Sequence, residues 1–275
     1  AMILCGSLAN VSIGKLFISG IGVGILLCLG EMICVSVISH KRGYKPTRAK
    51  GEKLPAGQAG LVIRRAILPM CLPVIIIGGV RMGAFTATEA GAVAVLYSII
   101  LGLVYRELTL EKIIKGIKET VLSTAGIMLI IGAASALSWV LTKERIPQTL
   151  TELMLQVSPN KYVFLLFMNV FLLICGMFLE GNAIMIILVP LLFPIAMEYG
   201  INEIQILMVI IFNVSIGCMT PPMGTLMFVV CNETGCKLKD FIKESVPFFV
   251  VLLAELLMLT FIPVLTTGLV TLFGG

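Results

Sequence analysis

Between Lys161 and Lys237 the chain carries neither lysine nor arginine, and nearly all of that stretch is apolar. A water-soluble domain needs charged side chains along its solvent face, and a stretch this long without one basic group cannot supply them. Crossing the hydrocarbon core of a bilayer takes about 20 apolar residues in a helix. Runs near or beyond that length recur at 16–39, 66–105, 121–141, 162–197, 204–230 and 246–272. The hydrophobic share of the 275 residues is 59% and the charged share 13%, so the pattern belongs to the whole chain. In lipid every backbone polar group must be satisfied within the protein, which favours helices over open sheets. The expected fold class is an all-α polytopic membrane protein.

The charges that remain are sorted. Residues 41–65 hold eight Lys and Arg against the single acid Glu52, residues 106–119 hold four, and residues 232–245 hold three. Fifteen of the chain's twenty basic residues thus lie in three polar stretches, which places those stretches on the cytoplasmic side. The net charge of +5 therefore points to the bilayer surface as a partner and not to nucleic acid. The loop around residues 146–159 is expected outside. With the chain outside after Leu141 and inside after Val230, the segment 162–197 must cross an even number of times. Two full crossings satisfy this, and so does a hairpin that dips in and returns. Short arms and the polar tip Leu179-Glu180-Gly181-Asn182 favour the hairpin.

Other elements follow from pattern. Leu110, Ile113, Ile114 and Ile117 recur at helical spacing and predict an amphipathic helix over 106–120, ahead of a crossing at 121–141. The block RMGAFTATEAG divides 66–105 into passes at 67–80 and 84–104, and a short interfacial helix is expected near 61–65. Thr86, Thr88 and Glu89 place hydroxyls and an acid where a helix begins, the composition of a structural cap. The eight cysteines lie mostly in apolar segments, and the single histidine is His40. No transition-metal motif results. The chain opens at Ala1 with AMILCG, which reads as the middle of an element, so a front half is expected ahead of it.

Two interruptions carry the functional signal. Within 204–230 stands Gly217-Cys218-Met219-Thr220-Pro221-Pro222-Met223-Gly224. A proline lacks the backbone donor and clashes with the preceding turn, so Pro221 and Pro222 open the backbone at membrane depth. The freed carbonyls and amides must then face protein, water, an ion or a ligand. Gly224 admits close approach to the backbone, Thr220 adds a hydroxyl oxygen, and Asn213 and Ser215 lie in the same span. The alternative is a structural kink. The second interruption is the tip at Glu180, where Gly181 and Asn182 are turn formers and the following arm aims free N–H groups back at the tip. An intramembrane carboxylate is a site candidate by default. Carbonyl, hydroxyl and amide oxygens without a basic partner suit a hard cation such as Na⁺ better than a salt bridge. Glu31 and Glu255 are single acids in apolar runs, each suited to face a partner chain or a polar interior.

The chain resembles the large membrane subunit of the tripartite ATP-independent periplasmic (TRAP) transporters. The likeness rests on SIGKLFISGIGVGIL (Ser12–Leu26), GAFTATEAGAVAVLYSIILGLVYREL (Gly83–Leu108), GMFLEGNAIMIILVPLLFPIAMEYGI (Gly176–Ile201) and IGCMTPPMGTLMFVV (Ile216–Val230), in the family's order. It implies the second half of an inverted-repeat elevator transporter. Residues 1–40 would end the first repeat and connect by a transmembrane helix, and 41–65 would be a cytoplasmic linker. Residues 66–120 would form scaffold helices and an amphipathic arm. Residues 121–236 would form the transport domain, with a hairpin near 176–197 and a broken helix at 204–230, and 237–275 an amphipathic connector and last crossing. The resemblance further implies a non-enzymatic protein of the bacterial inner membrane that couples uptake to Na⁺. Its expected partners are a small TRAP membrane subunit, separate or fused, and a periplasmic binding protein. The substrate would be a small organic acid such as sialic acid, another sugar acid or a C4-dicarboxylate. Carried over, the cation site is Gly181, Asn182, Thr220, Pro221 and Gly224. Glu180 stands where many relatives have Asp, and with Asn213 and Ser215 it is a candidate for the substrate site or hairpin. An ion channel or passive pore, and a non-transporting scaffold, are the other classes that broken helices allow.

Overall fold

The computed structural model describes residues 1–44, 56–145, 149, 152, 160–222 and 224–273. The expected external loop, apart from residues 149 and 152, and residues 45–55 of the basic linker lie outside them. Two compact units divide the chain. One comprises Ala1–Ile38 and Ala125–Gly275, the other Ser39–Thr124. The helices in chain order are α1 (Met2–Ala9), α2 (Ile13–Arg42), α3 (Ala56–Arg81), α4 (Ala87–Val104), α5 (Leu110–Lys143), α6 (Lys161–Phe178), α7 (Gly181–Glu198), α8 (Glu203–Gly217), α9 (Thr225–Thr234), α10 (Leu238–Phe261) and α11 (Val264–Phe273). Among the described residues, α2, α6, α7, α10 and the stretch Leu110–Leu137 are long and apolar enough to cross a membrane.

In the larger unit α8 is the centre. All its residues but Glu203 and Ser215 are buried, and α1, α6, α7, α10 and α11 pack around it. A helix apolar on every face must be enclosed on every face. Its start is fixed by Asn202, whose side-chain oxygen accepts from the backbone N–H groups of Ile204 and Gln205 at 2.9 and 3.3 Å, the N-cap arrangement. Helices α6 and α8 meet at two glycines. A Cβ on Gly217 would lie 2.7 Å from the Gly176 Cα, so α6 and α8 meet backbone to backbone. Small residues at such crossings replace the hydrophobic drive that lipid does not provide.

In the smaller unit α3 and α4 pack together, and the Tyr97 hydroxyl donates to the Leu68 carbonyl at 2.7 Å. Thr86 and Glu89 form a reciprocal cap on α4. The Glu89 N–H donates to Thr86 Oγ1 at 3.2 Å, and the Thr86 N–H donates to Glu89 Oε2 at 2.7 Å.

Four boundaries differ from the sequence reading. The amphipathic stretch and the crossing after it are one helix, α5, about 51 Å long at 1.5 Å per residue. No residue near Thr120 interrupts the backbone ladder where the composition changes. Helix α3 begins at Ala56 and absorbs the expected interfacial piece, running through Pro69 and Pro73. The last crossing begins at Leu238 and breaks at Ile262–Pro263, after which α11 restarts with the N–H groups of Thr266 and Thr267 donating to the Pro263 carbonyl. The hairpin arms are α6 and α7 over 161–198, each of 18 residues. At about 27 Å each they are not short. Arm length therefore no longer separates a re-entrant hairpin from two crossings.

Candidate functional site at a helix start and a helix break

The tip between α6 and α7 is two residues, Leu179 and Glu180. Glu180 caps α7. Its Oε2 accepts from the Ala183 N–H at 3.0 Å, and its Oε1 accepts from Asn182 Nδ2 at 2.8 Å. This gives Glu180 a positioning role and turns the Asn182 amide, whose oxygen retains its acceptor capacity.

The break between α8 and α9 runs from Cys218 to Gly224. Prolines that are not adjacent, two each inside α3 and α7 and one inside α10, leave those helices continuous, whereas the Pro221-Pro222 pair removes two successive donors. The last turn of α8 closes on itself. Met219 N–H donates to the Ile216 carbonyl and Thr220 N–H to the Gly217 carbonyl, at 3.0 and 2.9 Å. The Thr220 hydroxyl donates to the Ile216 carbonyl at 2.7 Å. That bond uses its proton and leaves lone pairs on its oxygen. Gly224 is buried, and a Cβ there would lie 2.7 Å from the Cys218 carbonyl oxygen and 2.8 Å from that of Thr220. Two backbone oxygens thus converge on the glycine.

The tip and the break come together. A Cβ on Gly181 would sit 3.3 Å from both Cys218 Sγ and Val214 Cγ1, so the first turn of α7 starts against the last turn of α8. Within a few residues of this contact along the chain lie the carbonyl oxygens of Cys218 and Thr220, the Thr220 hydroxyl, the Asn182 amide oxygen and the N-terminus of α7. Oxygen ligands of this kind are what hard cations take, and helix N-termini favour anions. Among the described residues no group of three His, Cys, Asp or Glu is placed to hold a metal ion.

Not every candidate is at the junction. Ser215 is exposed and donates to its own helix, at the Ile211 carbonyl, 2.8 Å away. Thr86, Thr88 and Glu89 belong to the other unit. Asn213 is fully buried and faces α6, where its Nδ2 donates to both the backbone oxygen and the side-chain oxygen of Asn169 at 3.0 Å. Asn169 Nδ2 donates in turn to Thr260 Oγ1 at 2.8 Å, and Gln205 Nε2 donates to the Thr260 carbonyl at 2.8 Å. This buried chain fixes α8 against α6 and α10 beneath the junction. Asn169, Gln205 and Thr260 were not singled out in the sequence, although a lone amide inside an apolar run is the signal that marked Asn213.

A family model described as "Tripartite ATP-independent periplasmic transporter, DctM component" matches residues 1–265. The chain belongs to the DctM family. Among its relatives, a sialic acid TRAP transporter large permease protein of Vibrio cholerae is 36% identical over 277 aligned residues, covering 100% of this chain and 64% of the relative. A C4-dicarboxylate TRAP transporter large permease protein of Pseudomonas aeruginosa is 37% identical over 276, covering 99% and 63%. The chain thus spans under two thirds of the length of these relatives. An isethionate TRAP transporter permease protein of Oleidesulfovibrio alaskensis is 33% identical, covering 95% of this chain and 41% of the relative. As a member of this transporter family with several long apolar helices, the chain is a multi-pass protein of the inner membrane.

Proposed function

We propose that this chain belongs to a Na⁺-driven secondary importer of a small organic acid, handed over by a periplasmic binding protein. The meeting of the α7 start with the α8–α9 break is the observation that carries the reading. Broken helices at membrane depth are where secondary transporters bind substrate and coupling ion. Na⁺ would be held by oxygens of Gly181, Asn182, Thr220, Pro221 and the backbone around Gly224. The organic anion would be met by the α7 N-terminus with Glu180 ordering the tip, since no Lys or Arg lies between Lys161 and Lys237. Sialic acid, C4-dicarboxylate and isethionate, named for three relatives, are all small organic anions. Residues 121–236 would move as the transport domain, with α6 and α7 as a re-entrant hairpin, and 66–120 would stay as scaffold. A small membrane subunit would brace that scaffold.

In proteoliposomes containing the full permease and its binding protein, substrate uptake should collapse when an inward Na⁺ gradient is replaced by K⁺. Ion current without substrate would instead favour a channel. In the same vesicles, spin labels at Ile100 and Ile187, both exposed, should change separation when Na⁺ and substrate are added, because a ligand shifts a two-state system only by binding its states unequally. A pair at Ile187 and Leu226 should not. A fixed Ile100–Ile187 distribution under transporting conditions contradicts the elevator motion.

A further inference from the structure

Glu255 is used by none of this. It lies on α10, six residues and about 9 Å before that helix ends, and it is 4% exposed. Neither carboxylate oxygen has a hydrogen-bond partner among the described residues. The side chain is pressed against α2, where a Cβ on Gly30 would coincide with Glu255 Oε1 and would meet Val251 Cγ1 at 3.0 Å. Gly30 is thus the notch that admits the carboxyl group, and any larger residue would displace it.

We propose that Glu255, seated in the Gly30 notch inside the bilayer, is a proton-binding site. An ionised carboxylate without donors in an apolar interior costs several kcal/mol even after relaxation. Three ligands can remove that cost: a basic side chain, a metal cation or a proton. The titratable residues on the elements packed against Glu255 are few. Helix α2 has Glu31, Cys28 and Cys34, with Lys15, His40, Lys41 and Arg42 near its ends. Helix α6 has Lys161 and Tyr162 at its start and Cys175, α8 has Glu203 at its start, and α9 has Cys231 and Glu233. On α10 itself the nearest base is Lys243, twelve residues and about 18 Å away. A metal cation is the competing ligand; among the described residues no group of three His, Cys, Asp or Glu is placed to hold one there, and the Na⁺ arm of the test below separates the two. A proton held by the folded state and released on unfolding makes stability fall as pH rises, so the α2–α10 contact tightens in acid and loosens in base.

Dicyclohexylcarbodiimide tests this directly, because it reacts with protonated carboxyls in apolar surroundings. The acid O–H adds across the carbodiimide C=N bond, and the acyl group then migrates to nitrogen as a stable adduct of unchanged total composition. With the full permease complex in lipid, peptide mass spectrometry should find the adduct on Glu255 near neutral pH and less of it as pH rises. E31Q should keep the adduct. E255Q should lose it, remain as thermally stable as the parent, and flatten the pH dependence of stability. Absence of the adduct at every pH overturns the proposal, as does its suppression by Na⁺, which would indicate a cation site. An E255Q protein much less stable than the parent also overturns it, since that would mean the charge is paired.

Discussion

Gly217→Val is expected to destabilise the protein by about 3 kcal/mol, the upper range for overpacking a well-packed contact. A Cβ at 217 would stand 2.7 Å from the Gly176 Cα, 3.1 Å from its carbonyl carbon and 3.2 Å from the Leu173 carbonyl oxygen. These are backbone atoms of α6, so no side-chain rotation relieves the clash. Helices α6 and α8 must part, and α8 is the core of the larger unit. Their separation would also pull Asn213 from Asn169, leaving buried amides unpaired at about 1–3 kcal/mol each. Gly217→Ala should show a smaller loss in the same direction, and Gly176→Ala should match it, because each glycine meets the other's backbone. Thermal unfolding in detergent, with the yield of folded protein, measures the series. A stable Gly217→Val protein would mean that α6 and α8 do not meet there.

Gly224→Ala should abolish uptake while sparing the fold. The glycine has φ −51° and ψ 111°, a conformation alanine adopts freely, so the substitution is not a backbone problem. The obstacle is the pair of carbonyl oxygens at 2.7 and 2.8 Å from the new methyl. They would be driven away from each other's side of the break, and a site built of such oxygens depends on their spacing. A misplacement costing about 1.4 kcal/mol already weakens cation binding tenfold, and coupled uptake falls with it. Uptake close to normal in Gly224→Ala protein would exclude the break as the site.

How much of this could be read in the sequence depended on whether the cause was local. The break at Pro221-Pro222, the α8 cap at Asn202 and the Thr86–Glu89 cap are backbone events caused by residues within a few positions, and the first and last were legible. The continuity of α5 was hidden because its residues change from charged to apolar near Thr120 while the backbone does not change. The end of α10 was missed for the opposite reason. Pro263 breaks the chain, yet Pro247 sits inside α10, and residue type alone does not separate the two cases. The pairing of Asn213 with Asn169, 44 residues apart, and the seating of Glu255 on Gly30 depend on how helices meet, which periodicity does not encode. The tip and the break were found as separate features. That Gly181 starts against Cys218 is information only the fold contains.

The most direct test of a Na⁺ site at that junction is the equilibrium binding isotherm of radioactive Na⁺ on the purified full permease, compared with Thr220→Val and Asn182→Leu. Each substitution removes one polar oxygen and keeps similar bulk. Both variants should lose a saturable component of Na⁺ binding or shift it at least about tenfold, while keeping the parent's thermal unfolding profile in K⁺. Isotherms that superimpose on the parent's in both variants would contradict the assignment.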